Sequence, residues 1–239
     1  MPLTLSLETS ADVCAAALVA DGEALGVRQV EMSRGHAEAL VPMVQDLAQQ
    51  VGVVLTALDL IGVTRGPGSF TGVRTGIAAA RGFAIASGAP AVGVSSLEAV
   101  ARGAARAADM ASSPPRPIPR PILCILDTRR ADYFAQTFDQ AGAASSAPAV
   151  MSPADLFLLI GSLQPVLAGN AVSRFLSEYD GDPDTLQRAP GTGNPDPVDV
   201  ALIAETILGN EGVAKDTLSP LYLRAPEAKI PANGGRLKR

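Results

Sequence analysis

The sequence predicts an α/β protein built from two lobes. Across 239 residues the hydrophobic content is 47% and the aromatic content only 4%, so the core must pack small aliphatic side chains. Apolar runs of strand length alternate with segments whose apolar residues recur at helical spacing. A strand, a polar turn and a second strand open the chain, and the same order returns after a proline-rich stretch. We therefore expect two copies of one topology.

The first half is predicted to begin with a β-meander. Strands are expected at Leu3 to Leu7, Val13 to Ala20 and Glu23 to Glu31, with Asp21-Gly22 as the second turn. A helix follows, with Ser33 as a plausible N-cap. Its apolar residues recur at i, i+3, i+4, i+7 and i+11 on one face: Leu40, Met43, Val44, Leu47 and Val51.

The next elements lead to a predicted domain boundary. They are a strand at Leu60 to Thr64, a glycine-rich turn, a helix from about Ser69 to Ser87, a strand at Ala91 to Val94 and a helix from about Ser96 to Ala108. Five prolines then lie between positions 114 and 121, which leaves too few backbone donors for regular structure. We place an N-terminal lobe at 1–110, a linker at 111–121 and a smaller C-terminal lobe at 122–239.

The second half restarts with the predicted strand, turn and strand. These lie at Ile122 to Leu126, Asp127 to Arg130 and Asp132 to Phe138. Helices are expected near 153–160, 172–178 and 197–208, a strand at 165–168 and a partly ordered tail through 220–224.

Charge and composition argue against several functions. The net charge is −5, and basic residues cluster only at Arg236 to Arg239, so an autonomous nucleic-acid binder is not expected. Scarce aromatics offer few platforms for base stacking. Cys14 and Cys124 lack metal or redox spacing, which indicates buried reduced thiols and a cytoplasmic protein. No apolar run reaches the roughly 18 residues that a membrane span needs.

The run from Arg65 to Gly76 has two interpretations. Its glycines, between a strand and a helix, permit close backbone approach to an anion, with Arg74 as the nearby cation. However, no Lys follows at P-loop spacing. Alternatively, Gly72, Gly76 and Ala80 clear one helix face for another helix, within the chain or in a partner. Helix packing is the favoured interpretation.

Polar residues in the two turns are weak candidates for a nucleotide site. Thr9 and Ser10 follow the first strand and Asp127 ends the first strand of the second half, where they either hold a phosphate or its metal or simply form turns. His36 is the only histidine, which excludes a two-histidine metal site and favours a surface position at a helix start.

Several of these stretches together resemble the TsaB (YeaZ-like) family. They are Leu7 to Ser10, Ser33 to Pro42, Gly66-Pro-Gly-Ser-Phe-Thr-Gly-Val-Arg74, Leu126 to Arg130 and Pro220 to Arg224. The resemblance implies a two-lobed actin-like ATPase (ASKHA) fold with duplicated mixed sheets and a reduced second lobe. It also implies an inactive relative of the transferase TsaD, since Ser96 and Val100 stand where TsaD has its two metal-binding histidines. A glycine-rich phosphate turn of TsaD is likewise replaced by Asp127-Thr-Arg-Arg130.

The same resemblance implies a scaffold in the machinery that makes threonylcarbamoyladenosine on tRNA. The expected partners are TsaD in a heterodimer, a second copy of the chain when it is isolated, and TsaE in a larger complex through which alone tRNA is contacted. The resemblance implies no catalytic or metal site in this chain, and ATP or ADP at most at the complex interface. The expected partner interface comprises Leu40, Met43, Val44, Leu47, Gly72, Arg74, Gly76, Ala80 and Phe83.

Two alternatives remain open at this stage. An active ATPase or small-molecule kinase would use Glu8, Thr9 and Asp127 to hold a magnesium nucleotide. A peptidase is the other, and the single histidine and the lack of a nucleophile elbow argue against it.

Overall fold

A computed structural model describes residues 2–111, 118, 120–191, 193–212 and 218–224. The first half comprises β1 (Leu3–Glu8), β2 (Val13–Ala20), β3 (Glu23–Glu31), α1 (His36–Val51), β4 (Leu60–Thr64), α2 (Phe70–Ser87), β5 (Ala91–Val94) and α3 (Ser96–Ala111). The second half comprises β6 (Ile122–Asp127), β7 (Tyr133–Phe138), β8 (Ala149–Met151), α4 (Pro153–Leu163), β9 (Val166–Ala168), α5 (Val172–Glu178) and α6 (Pro197–Glu211).

The two sheets repeat one mixed topology. Their strand orders are β3-β2-β1-β4-β5 and β8-β7-β6-β9. In each, an antiparallel meander lies beside a strand that runs parallel to the first one, namely β4 next to β1 and β9 next to β6. The predicted α/β fold with duplicated mixed sheets and a reduced second lobe is therefore confirmed. The short β8 was not predicted, because three residues carry too little periodicity.

Two helices pack on the sheet of the other half of the chain, so the packed units differ from the predicted lobes at 1–110 and 122–239. The apolar face of α3 packs with β6 through Leu97, Val100 and Ala104, although α3 belongs to the first half. The last helix, α6, packs Val200, Ile203 and Ala204 on β4 and β5. The boundary at 111–121 therefore separates the sheets in sequence and does not separate the packed units. Most of this predicted linker lies outside the described residues.

The first lobe buries α1 and α2 against its sheet. Leu40, Val44 and Leu47 of α1 are at most 1% exposed and share one core with the first sheet. The helix begins after Gly35, whose φ of 89° is left-handed, so Ser33 is not the N-cap as predicted. Among the described residues, no helix is both long and apolar enough to cross a membrane.

A short C-terminal segment, residues 218–224, connects the two lobes. At one end, Leu218 packs on the core of the first lobe and its carbonyl accepts a hydrogen bond from Arg81 at 3.4 Å. In the middle, the Leu221 amide donates to the carbonyl of Arg65 at 2.7 Å. At the other end, Leu223 packs on the second core and Arg224 pairs with Asp132. The predicted ordered tail at 220–224 is therefore an interlobe contact.

Candidate functional site

The cleft between the lobes lies where two polar turns face each other. The first turn, Glu8 to Asp12, joins β1 to β2, and the second, Asp127 to Arg130, follows β6. Both line a cavity of about 300 Å³, together with Asn170. An ion pair between Asp12 and Arg129 joins the turns across it. The carboxyl ends of parallel strands meet here, which is the usual position of ligand sites in such sheets.

Glu8 anchors the first turn from inside the protein. Its side chain is fully buried, and Oε1 accepts hydrogen bonds from the Ser10 amide at 2.6 Å, the Ser10 hydroxyl at 2.8 Å and the Ala11 amide at 2.9 Å. Burial raises the pKa of Glu8 to about 7, although these bonds and the nearby Thr64 hydroxyl lower it. Oε2 and the Thr64 hydroxyl are both buried without a well-formed hydrogen bond.

The hydroxyls predicted to contact a nucleotide are used within the protein. The Thr9 hydroxyl is fully buried and donates to the carbonyl of Gly72 at 2.8 Å, so it does not line the cleft. Ser10 donates its hydroxyl proton to Glu8, and the hydroxyl of Ser96 lies 2.8 Å from it. Of the three candidates, only Ser10 and Asp127 share the cavity.

The glycines of the run from Arg65 to Gly76 approach the chain's own first turn. A Cβ at Gly68 would overlap the carbonyl of Ser10, and one at Gly72 would overlap the carbonyl of Thr9. At Gly76 it would lie 2.5 Å from the Thr9 hydroxyl. The amide of Ser69 donates to the Ser10 carbonyl at 2.8 Å, so this carbonyl occupies the start of α2 where an anion was considered. The glycines therefore permit a close approach, but the element that approaches is the β1–β2 turn and not the predicted second helix.

The predicted partner interface needs correction at six positions. Leu40, Val44, Leu47, Gly72, Gly76 and Ala80 are buried in the first lobe, so these residues cannot contact a partner at the surface. Met43 and Phe83 are partly buried against the same core. Only Arg74 is exposed among the nine. The helical period that suggested an interface is equally the period of a helix packed on its own sheet.

The second turn is held by a cation that the sequence did not reveal. Arg174 of α5 donates from Nη1 to Asp127 Oδ1 at 2.6 Å and from Nη2 to the carbonyl of Asp132 at 2.8 Å. The Arg129 amide also donates to Asp127 at 2.7 Å, and Arg129 has a left-handed φ of 58°. The Asp127 carboxylate is thus engaged in shaping the turn.

The positions compared with the metal histidines of TsaD lie inside the protein. Ser96 is fully buried and bonded to Ser10, while Val100 is 4% exposed in the core shared by α3 and the second sheet. His36 is the first residue of α1, as expected, but it is 8% exposed and therefore not on the surface. Its Nε2 is buried without a hydrogen-bond partner in the described part of the chain.

Two lobes of one mixed-sheet topology, with polar turns that bond to the surrounding protein, define a two-lobed α/β protein with duplicated sheets. Residues 20–179 match the family model described as TsaD, tRNA N6-adenosine threonylcarbamoyltransferase. The chain belongs to this family, in its TsaB (YeaZ) group.

Individual relatives agree with this placement. The protein is 40% identical over 102 residues to the tRNA threonylcarbamoyladenosine biosynthesis protein TsaB of Escherichia coli strain K12, a match that covers 43% of this chain and 44% of that one. An uncharacterized protein of Mycobacterium tuberculosis is 31% identical over 228 residues, 94% of this chain and 93% of its own length. A Pseudomonas aeruginosa structure described as similar to peptidase YeaZ has a TM-score of 0.76 at 29% identity, covering 94% and 100% of the chains. The match to the E. coli relative thus spans less than half of its length.

Proposed function

We propose that this protein is a non-catalytic subunit that binds TsaD and supports its transfer of a threonylcarbamoyl group to adenosine of tRNA. The names of the relatives support the pathway, since the E. coli and Haemophilus influenzae proteins are both called tRNA threonylcarbamoyladenosine biosynthesis protein TsaB. The match to the TsaD family model supports TsaD as the binding partner, because the two proteins would pair through related folds. We expect the subunit to act in the cytoplasm.

The internal use of the cleft residues carries the non-catalytic part of the proposal. A phosphate-binding turn needs unoccupied backbone amides and room for close approach. Here the amides of Ser10 and Ala11 donate to Glu8, the amide of Ser69 donates to Ser10, and the second turn carries bulky arginines at 129 and 130. Binding a nucleotide in the cleft would require breaking these contacts.

The outer faces of α1 and α2 are the proposed surface for TsaD. On α2 the exposed residues include Thr71, Ala78, Gly82 and Ile85, and Ile85 is 85% exposed. Open space surrounds Gly82, which lets a partner helix approach closely. Val41 adds an exposed apolar side chain on α1. In the isolated chain, two copies would pair through the same faces to form the proposed homodimer. TsaE, tRNA and any ATP or ADP at the interface would bind only when the complex with TsaD has formed.

Reconstitution of the modification reaction tests the proposal. TsaD, its small-molecule donor and tRNA are combined with and without this protein, and the modified nucleoside is measured by mass spectrometry of digested tRNA. We expect modification to depend on the protein and to persist with the Asp127→Ala variant. Full-rate modification without this chain would refute the subunit role.

An active ATPase is the alternative, and one observation favours it. Ser10 and Asp127 line the same cavity from opposite lobes, as residues that hold a magnesium nucleotide would. Calorimetry of the isolated chain with ATP and magnesium separates the two functions. Tight binding that Asp127→Ala abolishes would favour the ATPase.

A further inference from the structure

A second cavity lies beside the first, on the side where residues 218–224 cross between the lobes. Its volume is about 660 Å³, within the range of sites for small molecules. Its apolar wall is formed by Phe70 at the start of α2, Phe134 of β7, and Leu221, Tyr222 and Leu223. Arginines surround this wall: Arg74, Arg129, Arg130 and Arg224. Asp127 adds one carboxylate, so the cavity combines an apolar wall with a rim of four arginines and one acidic residue.

Two aromatic rings in this cavity are held open to solvent. Phe70 and Tyr222 stack with centroids 5.5 Å apart and planes inclined by 26°. They are 55% and 46% exposed, and they are the only exposed residues among the six Phe and three Tyr, all of which are described. A chain with so few aromatics loses burial energy by leaving two of them in water. Their pairing at one place indicates a binding surface.

Arg74 fixes the rings and supplies positive charge. Its guanidinium carbon lies 3.7 Å from the Phe70 centroid, and its Nε donates to the Tyr222 hydroxyl at 2.8 Å. Arg129 and Arg224 of the rim pair with Asp12 and Asp132. Arg74, by contrast, makes no ion pair with a carboxylate in the described part of the chain, so its charge is available to an anion.

We propose that this cavity binds one nucleotide, with the base stacked on Phe70 and Tyr222 and a phosphate at Arg74. Base stacking on aromatic rings and arginine planes is how proteins hold unpaired bases. The planar guanidinium of an arginine matches the geometry of a phosphate. The nucleotide is either free or one residue of single-stranded RNA. The proposal goes beyond the subunit role and does not depend on association with TsaD.

Binding measurements on the isolated full chain test this site. The probes are 5′-AMP, ribose 5-phosphate and a fluorescein-labelled single-stranded octa-adenylate RNA, at low and moderate salt. We expect Tyr222→Ala and Phe70→Leu each to weaken nucleotide binding by about tenfold, as loss of one stacking partner does. Arg74→Gln should weaken binding and reduce the slope of log K against log salt by about 0.7 to 0.9. Leu158→Ala, at a 76% exposed position on α4 outside the cavity, is the control, and thermal melting confirms that each variant folds.

The outcomes separate the sources of the nucleotide. Binding of AMP that the cavity variants weaken supports a free nucleotide, and binding of RNA without measurable AMP binding supports a residue of a strand. Three results would overturn the site. The first is that neither AMP nor the RNA binds, and the second is that AMP and ribose 5-phosphate bind equally well. The third is that the Phe70→Leu, Tyr222→Ala double variant binds both nucleotide probes with unchanged affinity. If that double variant loses TsaD but no nucleotide affinity, the rings belong to a protein contact and the inference fails. None of these results bears on whether modification of tRNA needs the subunit.

Discussion

The Thr9 hydroxyl donates a 2.8 Å hydrogen bond to the carbonyl of Gly72, which fastens the polar turn after β1 to the first turn of α2. Gly72 and Gly76 of α2 are therefore required by the chain's own turn. The contact explains how a motif that resembles a phosphate loop can serve packing.

Replacement of Gly76 with Leu should destabilise the isolated protein. A side chain there meets the Thr9 hydroxyl at 2.5 Å and Val63 at 3.2 Å, both inside the core. Forcing them apart should cost about 3 kcal/mol, the upper end for an overpacked core. Urea unfolding measures the change. The matched control is Gly82→Ala on the same helix, where open space and better helix propensity should add about 0.5 to 1 kcal/mol. Equal stability of the two variants would show that the seam at Gly76 is not packed as described.

The contrast between Gly76 and Gly82 shows which structural features can be predicted from the sequence. The order of strands and helices followed from alternation and helical periodicity, because both are local patterns. The partner of a small-residue seam is not local, so Gly72 and Gly76 were equally consistent with a neighbouring protein. The Arg174 contact with Asp127 joins residues 47 apart, and the Arg74 contact with Tyr222 joins residues 148 apart. The exposed stack of Phe70 and Tyr222 could not be predicted for the same reason. A low aromatic content argues against a stacking surface, but the fold brings these two distant rings together.

The stability of the protein should fall as the pH rises from about 5 to 8. Glu8 has a pKa near 7 in the folded protein and an ordinary value of 4.5 when unfolded, so the folded state binds more protons in between. The stabilising effect of the proton is complete below the unfolded pKa and is lost as the pH passes the folded one. A shift of this size corresponds to about 3 kcal/mol. Unfolding of wild type and Glu8→Gln at each pH isolates the effect, and an unchanged slope in the variant would contradict it. Asp46→Asn, an exposed site on α1, is the control.

Loss of Arg174 should loosen the second turn. Its guanidinium bonds Asp127 and two backbone carbonyls and lies 4.0 Å from the Tyr133 ring centroid. Because Arg174 and Asp127 are both about a third exposed, we expect Arg174→Leu to cost only about 1 to 2 kcal/mol. Hydrogen exchange should rise at residues 127–132 and not in the β1–β2 turn. Arg188→Leu, an exposed arginine, serves for comparison. Unchanged exchange at 127–132 would show that Arg174 does not shape the turn.

Association with TsaD should depend on the outer face of α2. Ile85→Glu places a charge where an apolar side chain is 85% exposed, so it should weaken binding by about tenfold or more and leave the melting temperature unchanged. Size-exclusion chromatography with light scattering measures both the heterodimer and any homodimer. The control is Leu158→Glu on α4, which is 76% exposed in the second lobe and should have no effect. If only Leu158→Glu lost binding, the TsaD interface would lie on the second lobe and the prediction would be wrong.

Both cysteines should be unreactive until the protein unfolds. Cys14 and Cys124 are fully buried, one in each sheet, and burial raises the pKa of the Cys14 thiol to about 11 and raises that of Cys124 further. Only the thiolate attacks a disulfide reagent, so both burial and the missing charge slow the reaction. With Ellman's reagent at pH 8, the native protein should release almost no chromophore, while protein in guanidinium should release two equivalents at once. Because the thiols lie in different lobes, a variant that opens one lobe should release one equivalent. Gly76→Leu, which strains the first lobe, should therefore expose Cys14 before Cys124. Simultaneous release would show that the two lobes unfold as one unit, held together by α3 and α6, which each pack on the sheet of the other half of the chain.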